Sequence, residues 1–362
     1  MSGANRPRDQ RFAILLPSLK FGGAERVALN LARALKALGW DVAILVMSRE
    51  GEFLAEAERE YEVVDLKSDR TRKLPGRLAS YLSVHPTDIL LSSFWKLNLC
   101  ACVARLFVAP QKLLLWEHSP PSISKNSPKL LYAISASLLY RMADRVICVS
   151  GGVRDDVARW TVGLKGRLRV IANPIPPPSA PLAAVQAPGG TKRIAWVGRL
   201  DDPKNPQLLV EAFALVANRI DAEVVYVGDG PFRMQLEQRC RELGLQQRVM
   251  FAGFQPAPYD ILSNCDLLAL TSDREGLPTV LVEALHCGLG VVSTDCGQGV
   301  HEILCGSTYG TIVPKNDPRA LAVAIESELN LPRDRATQMH GAERFRPDVI
   351  ATEFLSAAGD GA

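Results

Sequence analysis

Short, almost wholly apolar runs alternate with segments of helical period along this chain, and that alternation restricts the possible fold more than any other feature. RFAILLP precedes AERVALNLARALKAL; WDVAILVM, DILLSS, KLLLWE and RVICVS follow, the last leading into VRDDVARW. Strands apolar on both faces cannot border water, so they require helices above and below, and a series of such units makes a parallel sheet. The series then restarts with RIAWVG, a helical QLLVEAFALVANRI, AEVVYVG, a helical FRMQLEQRCREL, RVMFAG, LLALTS, a helical TVLVEALHCG and LGVVST. Between the two series lies NPIPPPSAPLAAVQAPGGTKR, rich in Pro, Ala and Gly and poor in charge, which is the composition of a linker. The expected fold is α/β: a doubly wound Rossmann-like domain over residues 1–172, a proline-rich hinge over 173–190 and a second such domain over 191–340. Ligands are expected between the domains, at the carboxyl ends of strands.

Composition agrees with a folded protein. Of 362 residues 47% are hydrophobic and 22% charged, which excludes a disordered chain, collagen and a small disulfide scaffold. The eight cysteines contain no Cys-x-x-Cys pair and several sit in apolar runs such as RVICVS, so reduced, buried thiols in a reducing cytosolic compartment are expected. No run approaches the roughly 18 apolar residues that a membrane span needs. FAILLP is too short for a signal-peptide core, so export is not expected.

The net charge of +3 conceals an asymmetry: residues 1–180 carry 26 Lys and Arg against 16 Asp and Glu, and the remainder carries an acidic excess. A basic first domain suits an anionic partner, either a phosphorylated substrate, an anionic lipid surface or nucleic acid. No nucleic-acid recognition motif accompanies the charge, which disfavours the last. The segment KLLYAISASLLYRMADR, residues 129–145, mixes basic and apolar residues in a way that would suit membrane contact; the expected alternative is an ordinary helix packed on the sheet, with membrane contact made by basic loops instead. EAEREYEVVD, residues 56–65, is expected to be a solvated helix face.

Five loops hold the candidate chemistry. Gly22 and Gly23 stand between a strand and a helix, where paired glycines let the backbone approach an anion or a sugar; a structural tight turn is the alternative. In VGDGPFRMQL the third glycine of the dinucleotide fingerprint is missing, so a nicotinamide cofactor is not expected. Gly198, Arg199 and Lys204 share a strand-to-helix loop, and two cations there suit a diphosphate. In TSDREGLPTVLVEALHCG, Glu275 lies in a loop, Pro278 fits a first helical turn, and Glu283 follows within the helix. The N–H groups of Gly276, Leu277 and Thr279 would face a phosphate while the two carboxylates accept from hydroxyls, a combination that suits a sugar nucleotide. His118 ends a strand of the first domain, where a structural role is the commoner one. No Asp-x-Asp pair and no metal-ligand spacing occurs.

The assembled text resembles the family 4 glycosyltransferases, retaining sugar-nucleotide enzymes of the GT-B fold, whose two Rossmann-like domains face a central cleft. The matching segments are GGAERVALNLARAL, ADRVICVS, VIANPI, WVGRLDDPKN, VGDGPFRMQLEQRCRELGL, RVMFAGF, CDLLALTSDREGLPTVLVEALHCG, VVSTDCGQGVHEIL and GTIVP, in order over about residues 12–325. The resemblance implies that Arg199 and Lys204 hold the donor diphosphate, Glu283 the ribose hydroxyls and Glu275 the hydroxyls of the transferred sugar. Gly22, Gly23, Gly198, Gly276, Leu277, Pro278 and Thr279 would surround the donor, and His118 matches the family's active-site histidine. It implies a reaction with no metal, no cofactor and no enzymatic nucleophile, the donor phosphate itself accepting the acceptor's proton. The text is similar to bacterial enzymes that add hexoses or N-acetylhexosamines to lipid-linked glycans. A UDP-sugar donor, a lipid-diphosphate-linked acceptor and a cytoplasmic protein peripheral on the anionic inner membrane are expected accordingly. Gly290 replaces a proline common in the family. The family's C-terminal helix, here within 341–362, usually crosses back to the first domain, but Pro347 inside its pattern predicts a late start or a kink. A sugar-nucleotide epimerase and a catalytically silent binding protein are the alternatives on this fold.

Overall fold

The computed structural model describes residues 10–123, 128–178, 190–256, 258–332 and 334–359, so most of the proline-rich segment, residues 179–189, lies outside the described residues. The chain divides into two units: residues 1–175 with 345–362, and residues 176–344.

Unit 1 runs β1 (Arg11–Leu16), α1 (Gly23–Ala37), β2 (Asp41–Val46), α2 (Leu54–Glu60), β3 (Glu62–Asp65), α3 (Leu74–Val84), β4 (Ile89–Ser93), α4 (Trp95–Ala104), β5 (Lys112–Glu117), α5 (Lys129–Leu139), β6 (Arg145–Cys148), α6 (Gly151–Trp160) and β7 (Leu168–Val170). The strands form one parallel sheet in the order β3-β2-β1-β4-β5-β6-β7. Its central strands are buried almost end to end, as a sheet with helices on both faces requires. EAEREYEVVD is only half helix: residues 62–65 form edge strand β3, because Val63 and Val64 give the chain a reason to join the sheet. The helical half is solvated, yet Glu56 and Glu60 bind Arg33 of α1 at 2.6 and 2.8 Å.

Unit 2 runs β8 (Lys192–Val197), α7 (Gln207–Val216), β9 (Ala222–Val227), α8 (Arg233–Glu242), β10 (Val249–Gly253), α9 (Tyr259–Leu262), β11 (Leu267–Leu270), α10 (Thr279–His286), β12 (Gly290–Thr294), α11 (Gln298–Leu304), β13 (Thr311–Val313), α12 (Pro318–Asn330) and α13 (Arg335–Ala342). Its parallel sheet has the order β10-β9-β8-β11-β12-β13. The core gathers Trp196, Phe213, Tyr226 and Leu209 between α7, α12 and the sheet. Its aromatic polar tips are satisfied: Trp196 Nε1 donates to Thr271 Oγ1 at 2.8 Å and Tyr226 OH to the carbonyl of Pro206 at 2.8 Å. Gly228 (φ +143°) shows why the glycines of VGDG are structural: a Cβ there would lie 1.8 Å from the carbonyl oxygen of Gly198, so the loops after β8 and β9 could not meet.

The last helix, α14 (Pro347–Gly359), belongs to unit 1, packing on α1 and β5 with Phe354 edge-on to Trp116 at 5.1 Å. Pro347 does not kink it, being its first residue, where a proline's missing N–H has no helical partner to lose.

Two further expectations are corrected. Pro278 is not inside the first turn of α10 but is its extended N-cap residue, and the helix starts at Thr279. The segment 129–145 forms helix α5, as expected, but packs less than an ordinary helix on a sheet would: it buries Tyr132 and Ala136 and turns Leu130, Leu131, Ile134 and Leu138 to solvent. All eight cysteines are free, and seven of them are buried.

Candidate functional site

Both sheet orders reverse direction at one point, between β1 and β4 in unit 1 and between β8 and β11 in unit 2. Loops leaving the carboxyl ends on either side of such a point diverge and leave a crevice, where open α/β sheets bind ligands. In unit 2 these are the loops after β8, carrying Gly198, Arg199 and Lys204, and after β11, carrying Glu275 and Gly276.

The two loops are bound together. Lys204 Nζ donates to Glu275 Oε1 at 2.6 Å, and Ser272 Oγ donates to the same oxygen at 2.7 Å. Burial opposes the Lys204 ammonium, but the charge of Glu275 and its hydrogen bond outweigh that and raise the lysine's pKa. Ser272 is buried, and its carbonyl accepts from Thr294 Oγ1 at 2.6 Å. Thr271 Oγ1 lies within 3.0 Å of the carbonyl of Lys204 and 2.8 Å of that of Asn205, and Asn205 Nδ2 donates to Asp273 Oδ1 at 3.2 Å. Asn205 occupies the left-handed region (φ 45°), a conformation that asparagine tolerates well.

The loop after β12 closes the other side. Glu275 N donates to the carbonyl of Cys296 at 2.9 Å, and Gly299 approaches so closely that a Cβ would lie 2.4 Å from the Gly276 carbonyl oxygen. Leu277 and Pro278 are buried, anchoring the entry to α10. Pro278 offers no side-chain acceptor to the first N–H groups of α10, so these remain suited to an anion. Arg199 does not join the cluster: it is 73% exposed and pairs with Asp201 at 3.3 Å. Glu283 is half-buried in α10; after burial, its charge is the next cause raising the pKa of Tyr259 and of Cys287.

In unit 1, Gly22 is the extended N-cap residue of α1 and Gly23 its first residue. The carboxylate of Glu25 folds back over Gly22, with Oε2 2.0 Å from where a Cβ would stand, and burial raises its pKa. His118 follows β5, its ring centroid 4.5 Å from Trp116 and 5.6 Å from Phe94, and its Nε2 is buried without a hydrogen-bond partner among the described residues. Burial pushes its pKa down to about 3, so the imidazole is neutral at physiological pH. Phe94 holds φ 71°, an uncommon conformation for a bulky residue, at the carboxyl end of switch-point strand β4. Among the described residues, no three His, Cys, Asp or Glu side chains come together as a metal site would need.

Residues 21–177 match the family model described as Glycosyltransferase Family 4, and residues 182–344 that described as Glycosyl transferases group 1. The chain belongs to the family 4 glycosyltransferases. The N-acetylgalactosamine-N,N'-diacetylbacillosaminyl-diphospho-undecaprenol 4-alpha-N-acetylgalactosaminyltransferase of Campylobacter jejuni is 28% identical to this glycosyltransferase over 336 residues, covering 88% of this chain and 90% of the relative. The GalNAc-alpha-(1->4)-GalNAc-alpha-(1->3)-diNAcBac-PP-undecaprenol alpha-1,4-N-acetyl-D-galactosaminyltransferase of the same organism is 26% identical, covering 95% and 97% of the two chains. Among solved structures, Anabaena HepE in complex with UDP superposes with a TM-score of 0.80 at 20% identity, covering 98% of this chain and 100% of the other. The fold is GT-B.

The glycosyltransferase thus brings two of its sequence-predicted residues, Lys204 and Glu275, into direct contact. Sequence reasoning missed Ser272, Asn205 and Thr271, which hold that pair; their place at strand ends beside the motif was the only available signal. It also missed Glu117, the residue before His118. Glu117 is buried and accepts hydrogen bonds from Tyr140 OH and from Asn98 Nδ2, the latter at 3.2 Å. Burial, opposed by those two bonds, raises its pKa to about 7.

Proposed function

We propose that this glycosyltransferase moves a hexose or N-acetylhexosamine, with retention, from a nucleotide sugar, most simply a UDP-sugar, to a lipid-diphosphate-linked glycan in bacterial surface-glycan assembly. The observation that carries the reading is the Lys204–Glu275–Ser272 cluster at the unit 2 switch point. The relatives' names, which specify diphospho-undecaprenol acceptors, and the basic first half support the acceptor class.

Charge development explains the residue types. As the sugar–phosphate bond breaks, negative charge gathers on the departing diphosphate, and fixed cations with helix-end N–H groups stabilise that state more than the ground state. Lys204 and Arg199 supply the cations and α10 the N–H groups, the part that a metal plays elsewhere. Pairing with Glu275 keeps the ammonium charged and positioned before the donor arrives. Glu275 receives hydroxyls of the transferred sugar and Glu283 those of the ribose. Gly22 and Gly23 take part in binding the donor phosphates. The donor phosphate accepts the acceptor proton, so no side chain is assigned as nucleophile. His118, neutral and desolvated, serves as a hydrogen-bonding group to the transferred sugar rather than as a charged acid. The protein works on the cytoplasmic face of the membrane, with no helix among its described residues long and apolar enough to cross it.

Thermal denaturation with UDP, GDP, ADP and their sugar conjugates, in the presence of a chelator, tests this directly. Stabilisation by UDP and one UDP-sugar is expected, growing with ligand concentration as mass action requires. Glu283→Ala should weaken UDP itself, whereas Glu275→Ala should mainly weaken the intact donor. No shift with any nucleotide would move the protein to the silent binding class, and conversion of a UDP-sugar without acceptor would make it an epimerase.

A further inference from the structure

Among the described residues the non-glycine positions with positive φ are Lys67, Phe94, Asn205, Cys305 and Asn316, and the two asparagines are bonded to each other. Asn205 (φ 45°) follows Lys204 in the loop after β8, and Asn316 (φ 57°) lies in the loop after β13. Asn205 Nδ2 donates to Asn316 Oδ1 at 2.9 Å and to Asp273 Oδ1 at 3.2 Å, so one amide reaches two other loops. Lys315 Nζ donates to the carbonyl of Asp273 at 3.3 Å, and Asp273 N donates to that of Pro203 at 3.0 Å. The loops after β8, β11 and β13, all at the carboxyl end of the unit 2 sheet, are thereby tied together at the residue next to Lys204.

Both ends of this tie rest on rigid elements. Asn205 stands just before α7 and Asn316 just before α12, and these two helices pack on each other in the unit 2 core. Asp317, the residue after Asn316, caps α12 by accepting from Arg319 N and Ala320 N at 3.0 and 2.9 Å. A left-handed residue at 205 ends the short turn Asp202–Lys204 before α7 begins, and from the last residue of that turn Lys204 Nζ reaches Glu275. Glycine would adopt both backbone conformations at less steric cost, so the conformations alone do not call for asparagine. Nor does stability, because a side-chain hydrogen bond at an exposed site competes with water and returns little. What the asparagine pair adds over two glycines is a fixed spacing of the loops, which a charge that must stand in place before its ligand arrives requires.

We infer that Asn205 and Asn316, with Asp273 and Lys315, form a clasp that positions Lys204 against Glu275, the bond between the asparagines being its working part. The four are positioning residues, acting on the donor through Lys204. The inference deepens the donor reading and rests on it for its purpose, whereas the hold on Lys204 is a property of the unliganded loops.

Two measurements on the full chain test it. The first needs no substrate: trace labelling of lysines by acetic anhydride, with Lys204 read by mass spectrometry. Asn205→Gly and Asn316→Gly keep the left-handed backbone and remove the bond between the loops. Each should raise the Lys204 rate by roughly threefold or more, because an ammonium less firmly paired with Glu275 gives up its proton more readily, while lysines remote from the clasp keep theirs. The second is release of UDP from UDP-N-acetylgalactosamine, the sugar in the relatives' names. Both variants should lower kcat by about fivefold with KM within about twofold, and the double variant should be no worse than Asn205→Gly alone. Added to Lys204→Ala, Asn205→Gly should lower turnover no further, which a merely structural role would not produce. Unchanged labelling of Lys204 in both variants would overturn the clasp. So would unchanged turnover in both beside an active wild type, or full additivity of Asn205→Gly with Lys204→Ala. Faster labelling in the variants with no UDP release by the wild type would sink the donor reading and leave the clasp standing.

Discussion

The carboxyl ends of the two sheets handle charge in opposite ways. In unit 2 the loops at the switch point keep their charges, with Lys204 raised in pKa by Glu275 and both side chains tied into a hydrogen-bonded frame. In unit 1 the corresponding region suppresses charge: burial pushes His118 down to about 3 and Glu117 up to about 7, and among the described residues no lysine or arginine is a cause of either shift. Buried polar atoms of Ser92, Ser93, Trp116 and Tyr132 also lack hydrogen-bond partners among the described residues. One sheet end holds its charges in a paired frame, whereas the other sheds charge by burial, His118 above about pH 3 and Glu117 below about pH 7, which suits hydroxyls and the exclusion of water.

Substitutions at four positions would break or sharpen that contrast. The largest effect is expected from Phe354→Ala, which opens a cavity against Trp116 beneath the unit 1 end and should cost about 3–5 kcal/mol by denaturant titration. A loss under about 1 kcal/mol would mean that α14 is not part of the unit 1 core. Next, Lys204→Ala should lower turnover by about 10²–10³-fold with little change in unfolding midpoint, since it removes a positioned charge rather than core packing. Unchanged turnover would remove the charged end from the chemistry. Ser272→Ala takes away one of two donors to Glu275 and should lower turnover by about fivefold to tenfold, corresponding to a hydrogen bond worth about 1 kcal/mol. Ser272→Thr should restore much of it, which a merely structural loss would not permit.

The smallest effect belongs to the neutral end. Folded Glu117 keeps its proton to about pH 7, whereas an ordinary glutamate releases it near 4.5. Across that window the folded state binds more protons than the unfolded one, so wild-type stability falls as pH rises. Glu117→Gln removes this slope, and its midpoint should gain on the wild type between pH 5 and pH 8 by roughly 2–4 °C. Parallel pH profiles would show that Glu117 is ionised throughout and that the unit 1 end is not neutral.

Much of the molecule was legible before the structure. Within KLLLWE the run LLLW, and within WDVAILV the run VAILV, is apolar at every consecutive position, which permits only a sheet covered on both faces. Lys204 and Glu275 were legible because ionised residues in strand-to-helix loops have few structural reasons to be there. Arg199 shows the limit of that argument, for the same loop turns it outward to 73% exposure. Glu117 was hidden by its company: a glutamate ending a strand reads as a surface residue, and only Tyr140 and Asn98, from other segments, make its burial tolerable.

The sequence by itself determined the two parallel-sheet units, the family and the loops that hold the ionisable groups, because strand and helix periodicity and short motifs are written in local order. Tertiary packing alone decided that Ser272 grips Glu275, that α14 returns to unit 1 and that α5 faces outward. Helix α5 makes the reason plain. Both of its faces are apolar enough to be core, and periodicity reports which residues share a face but not which face meets the sheet. That choice follows from packing: Tyr132, Ala136 and Tyr140 fill the space beneath the helix, and the leucines remain outside.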